Sequence, residues 1–218
     1  MIRQRVPSQA LQERVYKVLK QRMVDCDMLP GEVASAENLT AEFKTSRTPV
    51  REALLRLQRE HLVVIYPRQG TFVAQISLKD IHEIYQIRLL IEPRVARMAC
   101  RNIEAAELRR FGQVFSGLDT ASVSFKEWFK HDREFHDFIM HACGNWQLSQ
   151  LYAVIMDQNQ RMRVLAGRAP ARMEATTREH LEILAALLER DEERIERAMT
   201  AHIVASREAV LRMEGFIQ

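Results

Sequence analysis

Ser46-Arg47-Thr48-Pro49-Val50-Arg51-Glu52-Ala53-Leu54 carries the start of a helix with two arginines on its outer side. Ser46 or Thr48 can cap a helix there, and Pro49 falls in the first turn, where a missing N–H does no harm. Val50, Leu54 and Leu57 recur at i, i+4 and i+7, giving a buried stripe for a helix that runs to about Arg59. Arg47 and Arg51, four apart, share a different face at its N-terminal end. Upstream, Leu11, Val15, Val18, Leu19 and Met23 predict an amphipathic helix over residues 8–26, stopped by Leu29-Pro30-Gly31. Ser35 can cap a short second helix through Leu39 and Phe43. Downstream the texture changes: Leu62-Val63-Val64-Ile65-Tyr66 is β-rich, Pro67-Arg68-Gln69-Gly70 is a turn, and Thr71-Phe72-Val73-Ala74 is β-rich again. Three helices and a hairpin describe a winged helix-turn-helix over residues 1–76.

In such a domain the third helix enters the major groove with its N-terminal side chains toward the bases. Arg47 and Arg51 suit guanine edges or phosphates, and Ser46 and Thr48 suit phosphate oxygens. The wing tip, Arg68 to Gly70, can place an Arg in the adjacent minor groove. Charge agrees: residues 1–79 hold 13 Lys and Arg against 8 Asp and Glu, whereas residues 80–218 hold 19 against 21. A basic front end on a near-neutral remainder suits a polyanionic partner.

Residues 77–79 read as a short linker, and residues 80–218 as all helix, so the fold class is mainly α. The predicted helices cover Asp80 to Arg101, residues 104–115, Phe125–Ala142, Asn145–Gly167, Pro170–Arg190 and Asp191–Met213. Within them Trp128, Phe135, Phe138 and Trp146 read as core. Only 7 Gly and 6 Pro occur in 218 residues, which excludes collagen-like and low-complexity chains. No apolar run approaches the roughly 18 residues that span a bilayer. MIRQRVPSQA lacks the apolar centre of a signal peptide, and Cys26, Cys100 and Cys143 follow no metal or disulfide spacing. The expectation is a cytoplasmic protein.

Asp132 and His136 stand at i, i+4, on one face of the third of these helices. His180 lies 11 residues before Asp191 and His202 lies 11 after it. Asp191 can cap the last helix, with Glu192 and Glu193 in its first turn. If the last two helices pack antiparallel, equal steps of about 1.5 Å per residue return both imidazoles to one height. Three imidazoles and a carboxylate can then converge, a set that suits divalent Zn, Ni, Co, Mn or Fe and leaves coordination positions open. An Asp-x3-His pair is also common on helix surfaces. His61, His82, His131 and His141 do not share this geometry.

Leu29-Pro30-Gly31-Glu32, residues 46–54, Leu57, Leu62-Val63 and residues 68–73 closely resemble the DNA-binding domain of GntR-family bacterial transcription regulators. Three positions depart from that pattern: Lys44 and His61 replace usual glycines, and Ala36-Glu37-Asn38 replaces the usual start of the second helix. Residues 87–93, 132–136, 142–145, 179–184, Asp191 and His202-Ile203 look like the FCD effector domain of the FadR subfamily, in its shorter, six-helix VanR-like branch. The resemblance implies operator binding as a homodimer, with Arg47 and Arg51 in the DNA-reading positions. It also implies Asp132, His136, His180 and His202 as metal ligands, with zinc or nickel foremost and manganese, cobalt or iron as other occupants.

The implied effector is a small organic acid whose carboxylate completes the metal's shell. Arg88 is a second anchor for it, through a fork that matches a carboxylate, or else an ion-pair partner of Glu92 four residues on. Asn159 is a further effector candidate, followed by Arg161 and Arg163, as polar interruptions of a packing helix. Two other readings of the same residues stand beside this one. One is a regulator for which the metal itself is the signal. The other is a helical metalloenzyme with a basic appended domain, which neither an HExxH motif nor a motif-linked general base supports.

Overall fold

The computed structural model describes residues 8–166 and 170–212. The chain forms two compact units, Met1–Ile76 and Ser77–Gln218. The first contains α1 (Ser8–Val24), α2 (Ala36–Glu42), α3 (Arg47–Arg59), β1 (Val63–Tyr66) and β2 (Gly70–Val73). Helix α1 packs across α3 and α2 beside it. Val15, Leu19 and Met23 of α1 meet Leu39, Val50, Leu54 and Leu57 in one core, closed by Leu62 and Val73. The hairpin is antiparallel, in register from Val63 opposite Val73 to Tyr66 opposite Gly70. Residues 31–34 add an edge that the Leu29-Pro30-Gly31 stop signal conceals. Gly31 N–H donates to the Val73 carbonyl (2.9 Å), Val73 N–H to that of Glu32 (2.8 Å), and Ala34 N–H to that of Thr71 (2.8 Å).

The second unit is six helices among the described residues: α4 (Leu78–Ala99), α5 (Ala105–Gly117), α6 (Phe125–Ala142), α7 (Trp146–Leu165), α8 (Pro170–Glu189) and α9 (Glu192–Leu211). Helix α9 lies against both α4 and α8, α8 against α5, and α6 against α4 and α7. The ends expected at Gly167 and Met213 lie outside the described residues.

Two expectations are corrected. Residues 77–79 are not a linker: Ser77 is the N-cap of α4, and Leu78 and Lys79 are its first turn. A capping box causes this, with Asp80 N–H donating to Ser77 Oγ (3.1 Å) and Ser77 N–H to Asp80 Oδ2 (2.7 Å). Trp146 is not core but 67% exposed, because it is the first residue of α7, directly after the Asn145 cap.

Three helices end in the same device with an unusual residue. After α3, Leu62 N–H reaches the Leu57 carbonyl (2.9 Å) and His61 N–H that of Gln58 (3.0 Å), a Schellman cap with apolar Leu57 and Leu62 packed together. The same bond pair closes α2 at Lys44 and α8 at Arg190. Their φ angles are +59° at His61, +49° at Lys44 and +56° at Arg190, the left-handed region in which glycine is unstrained. His61→Gly is therefore expected to stabilise the first unit by about 0.5–1 kcal/mol, the strain relief outweighing glycine's added chain entropy. A thermal melt that shows no rise in midpoint would contradict this.

Candidate functional site

Helix α6 carries Asp132 and His136 on its buried face, α8 carries His180, and α9 carries His202; none is more than 2% exposed. Asp191 caps α9, accepting from Arg194 N–H (3.0 Å), and the chain reverses there so that α8 and α9 pack together. The equal spacing on either side of Asp191 brings the His180 and His202 rings to 4.8 Å between centroids. His136 lies 5.1 Å from His202 and 5.4 Å from His180 on the same measure. One nitrogen from each of the three imidazoles falls within a 4.8 Å span. Asp132 borders this three-histidine group, its Oδ1 3.5 Å from His180 Nε2.

The hydrogen bonds fix what these groups present. His136 Nδ1 lies 3.0 Å from Glu92 Oε2, and His202 Nδ1 lies 2.8 Å from Glu179 Oε2. A carboxylate accepts only, so each ring donates its Nδ1–H outward, and in its neutral form turns a bare Nε2 lone pair inward. Those two Nε2 atoms are 3.2 Å apart. Two lone pairs at that distance repel unless a cation lies between them, and the separation suits a metal with bonds of about 2.0–2.1 Å to each. His180 has no hydrogen-bond partner on either nitrogen, and Asp132 Oδ1 has none either. Buried polar atoms without partners are rare and ask for a ligand. The donor set therefore fits a divalent transition metal.

Electrostatics prepares the same groups. Burial, against the rings of Phe115 and Phe135, holds His180 well below its usual pKa of 6.5, and the neighbouring His202 lowers it further. His202 is lowered too, by burial first and then by His136. Asp132 stays ionised: burial would raise its pKa, but Arg163, 2.6 Å away, and the imidazoles reverse that. Glu92 behaves alike, burial being overcome by Arg88 and His136.

Glu92 and Glu179 were not among the candidates from sequence. The signal for Glu92 was its i, i+4 relation to Arg88; Glu179 only neighbours His180 in sequence and reaches across to α9. Arg88 makes the ion pair with Glu92, with Nε to Oε1 at 2.5 Å and Nη2 to Oε2 at 3.3 Å. Its Nη1 donates to Asn159 Oδ1 (3.0 Å), and Asn159 Nδ2 is buried without a partner. Arg163, a lesser candidate for the effector, holds Asp132 and lies over the Phe129 ring at 4.6 Å. Arg161 bonds within its own helix, to Gln158 (2.9 Å).

In the first unit, Ser46, Arg47, Thr48 and Arg51 are all exposed at the start of α3, opposite its buried Val50, Ala53, Leu54 and Leu57. Ser46 is the N-cap by position, but its hydroxyl makes no capping hydrogen bond. The wing turn closes with Gln69 N–H on the Tyr66 carbonyl (3.1 Å), with φ of +64° at Arg68 and +128° at Gly70. Arg68 and Gly70 are exposed at its tip.

Residues 11–73 match the bacterial regulatory proteins of the gntR family, and residues 83–205 match the FCD domain. The HTH-type transcriptional repressor RspR of Escherichia coli is 29% identical over 209 residues, 94% of this chain and 90% of that protein. The Nta operon transcriptional regulator of Aminobacter aminovorans is 29% identical over 177 residues, 80% of this chain and 82% of the other. Among solved structures, E. coli McbR/YncC shares the fold with a TM-score of 0.78 at 22% identity, over 93% of this chain and 97% of that one. A metal-free FCD domain of a transcriptional regulator matches 64% of this chain and 96% of its own, with a TM-score of 0.56 at 19% identity. With its winged helix-turn-helix and helical C-terminal domain, the chain is a DNA-binding transcription regulator and not an enzyme, and it belongs to the GntR family with an FCD domain.

Proposed function

We propose that a small organic acid controls operator binding by this regulator, its carboxylate completing the shell of a divalent metal held by Asp132, His136, His180 and His202. The observation that carries this reading is the pair of inward Nε2 atoms 3.2 Å apart, beside a His180 without hydrogen-bond partners. Zinc or nickel suits the imidazole-rich set best, with manganese, cobalt and iron as alternatives. Bound there, the metal supplies a positive centre that attracts a carboxylate. Arg88 and the free amide N–H of Asn159 are the protein's own anchors for the rest of the acid. A regulator for which the metal alone is the signal uses the same four ligands. Operator binding that responds to metal without any added acid would favour it.

On the DNA side, the exposed start of α3 reads the operator. Arg47 and Arg51 face base edges or phosphates, Ser46 and Thr48 face phosphates, and Arg68 and Gly70 of the wing meet the minor groove. The protein works in the cytoplasm as a homodimer on two half-sites about one helical turn apart. The acid changes operator affinity by binding two conformations of the regulator unequally.

Purified protein is expected to carry about one transition-metal ion per chain, lost in Asp132→Ala and in His202→Ala while DNA binding survives. Metal analysis beside gel-shift titration checks this, and full occupancy in both variants would refute the ligand set. Arg51→Ala should weaken operator binding by roughly 1–3 kcal/mol and relax base preference if the contact is bidentate to guanine. Unchanged affinity for operator and for random DNA would sink that role.

The lowered pKa values of His180 and His202 give metal-stripped protein a pH dependence with a definite sign. Below the ordinary value of 6.5 the unfolded chain takes up protons that the folded one refuses, so stability is full above that pH and falls as pH drops beneath it. The melting midpoint should fall from pH 7.5 to 5.5 by more than it does in the His180→Gln, His202→Gln double variant. Parallel profiles for the two proteins would count against buried neutral imidazoles.

A further inference from the structure

Two of the three imidazoles are oriented by a carboxylate, and each of those carboxylates is gripped by an arginine. On one side Arg88 holds Glu92, which accepts from His136; these side chains are 0%, 3% and 1% exposed. On the other, Arg172 forks onto Glu179, with Nη1 to Oε1 at 2.6 Å and Nη2 to Oε2 at 3.0 Å. Glu179 accepts from His202 Nδ1 at 2.8 Å. This second arm is open to solvent, with Arg172 at 27% and Glu179 at 22%. Both its residues are on α8, which also supplies His180, while its target is on α9. The arm thus ties the helix bearing one ligand to the ring of another.

We propose that Glu179, locked by Arg172, is a positioning residue of the metal centre. It accepts the Nδ1–H of His202, excludes the opposite tautomer, and keeps the Nε2 lone pair aimed at the ion. Its negative charge also makes that nitrogen a better donor. Glu92 performs the same service for His136 from inside the bundle. Removing Glu92 strands the buried Arg88 charge and threatens the fold. Arg172 keeps 27% of its side chain in solvent, so it remains hydrated when the Glu179 carboxylate is lost. The assignment rests on the metal reading given above.

The test uses full-length, metal-stripped protein titrated with zinc against a chromophoric chelator, and with cobalt(II) followed by its visible ligand-field bands. Glu179→Ala is expected to lower zinc affinity about 10–100-fold. It should also alter the cobalt bands while leaving the metal-free melting midpoint near that of the parent. Glu179→Gln should recover part of the loss, because an amide oxygen still accepts from Nδ1–H. Wild-type affinity in Glu179→Ala, or equal losses in the Ala and Gln variants, would overturn the positioning role while the metal site stood. Parent protein that binds neither ion would end both readings together. If Glu179→Ala does not fold, Arg172→Met frees the carboxylate from its fork. A severalfold loss of affinity with shifted cobalt bands is then expected, and an unchanged spectrum would overturn the proposal.

Discussion

Keeping His180 and His202 uncharged inside an apolar bundle is the constraint on which the C-terminal unit depends. Phe115 and Phe135 lie 4.8 and 5.1 Å from the His180 ring, so water cannot solvate an imidazolium there. The buried acids nearby stay ionised, since each has an arginine beside it: Asp132 has Arg163 and Glu92 has Arg88. These charges are matched in pairs, which leaves His180 and His202 as neutral donors. Desolvating these pairs is costly, and removing one partner of a buried pair typically destabilises by about 3–5 kcal/mol. Evolution toward stability alone would favour apolar side chains at these positions. Their presence is better explained by a ligand than by folding.

Both the fold and the meeting of His180 with His202 were legible because they depend on spacings along the chain. Val50, Leu54 and Leu57 are all buried on one face of α3, as their period requires. Asp191 sits midway between His180 and His202, so a reversal at that residue superposes them whatever the neighbouring helices do. The outer carboxylates were not legible in the same way. Glu179 reaches His202 across 23 positions, and Glu92 reaches His136 across a helix interface, distances that no short-range pattern encodes. Trp146 and residues 77–79 failed for a different reason. Capping chemistry outweighs side-chain hydrophobicity and texture at both places, with Asn145 starting α7 and the Ser77–Asp80 pair starting α4.

The front unit shows how a family pattern can be broken without changing the backbone. Lys44 and His61 occupy usual glycine positions, and both still adopt the positive φ that glycine would. The Schellman bonds and the Leu57–Leu62 contact over-determine the turn, so the strain of a Cβ is absorbed rather than relieved. At Lys44 the exchange has a second consequence. It sets an exposed cation in the turn that leads into α3, two residues from Ser46, on a unit already rich in Lys and Arg. The electrostatic attraction for DNA is sequence-independent and salt-sensitive, so a cation there adds affinity without adding information.

The site and its proposed effector also share a partner, which limits how they can act. Arg88 spends two N–H groups on Glu92 and a third on Asn159, so an acid that engages its fork competes with Glu92. Glu92 in turn holds His136 in its metal-ready orientation. Any pull on Arg88 is therefore felt at His136 through one carboxylate, without a long relay of contacts. Thermodynamic linkage makes that influence mutual: a metal that favours one arrangement of Glu92 changes affinity for the acid by the same factor as the acid changes affinity for the metal. On the proposed reading, metal and acid are then two halves of one signal, because the protein gives them a single carboxylate to divide between them.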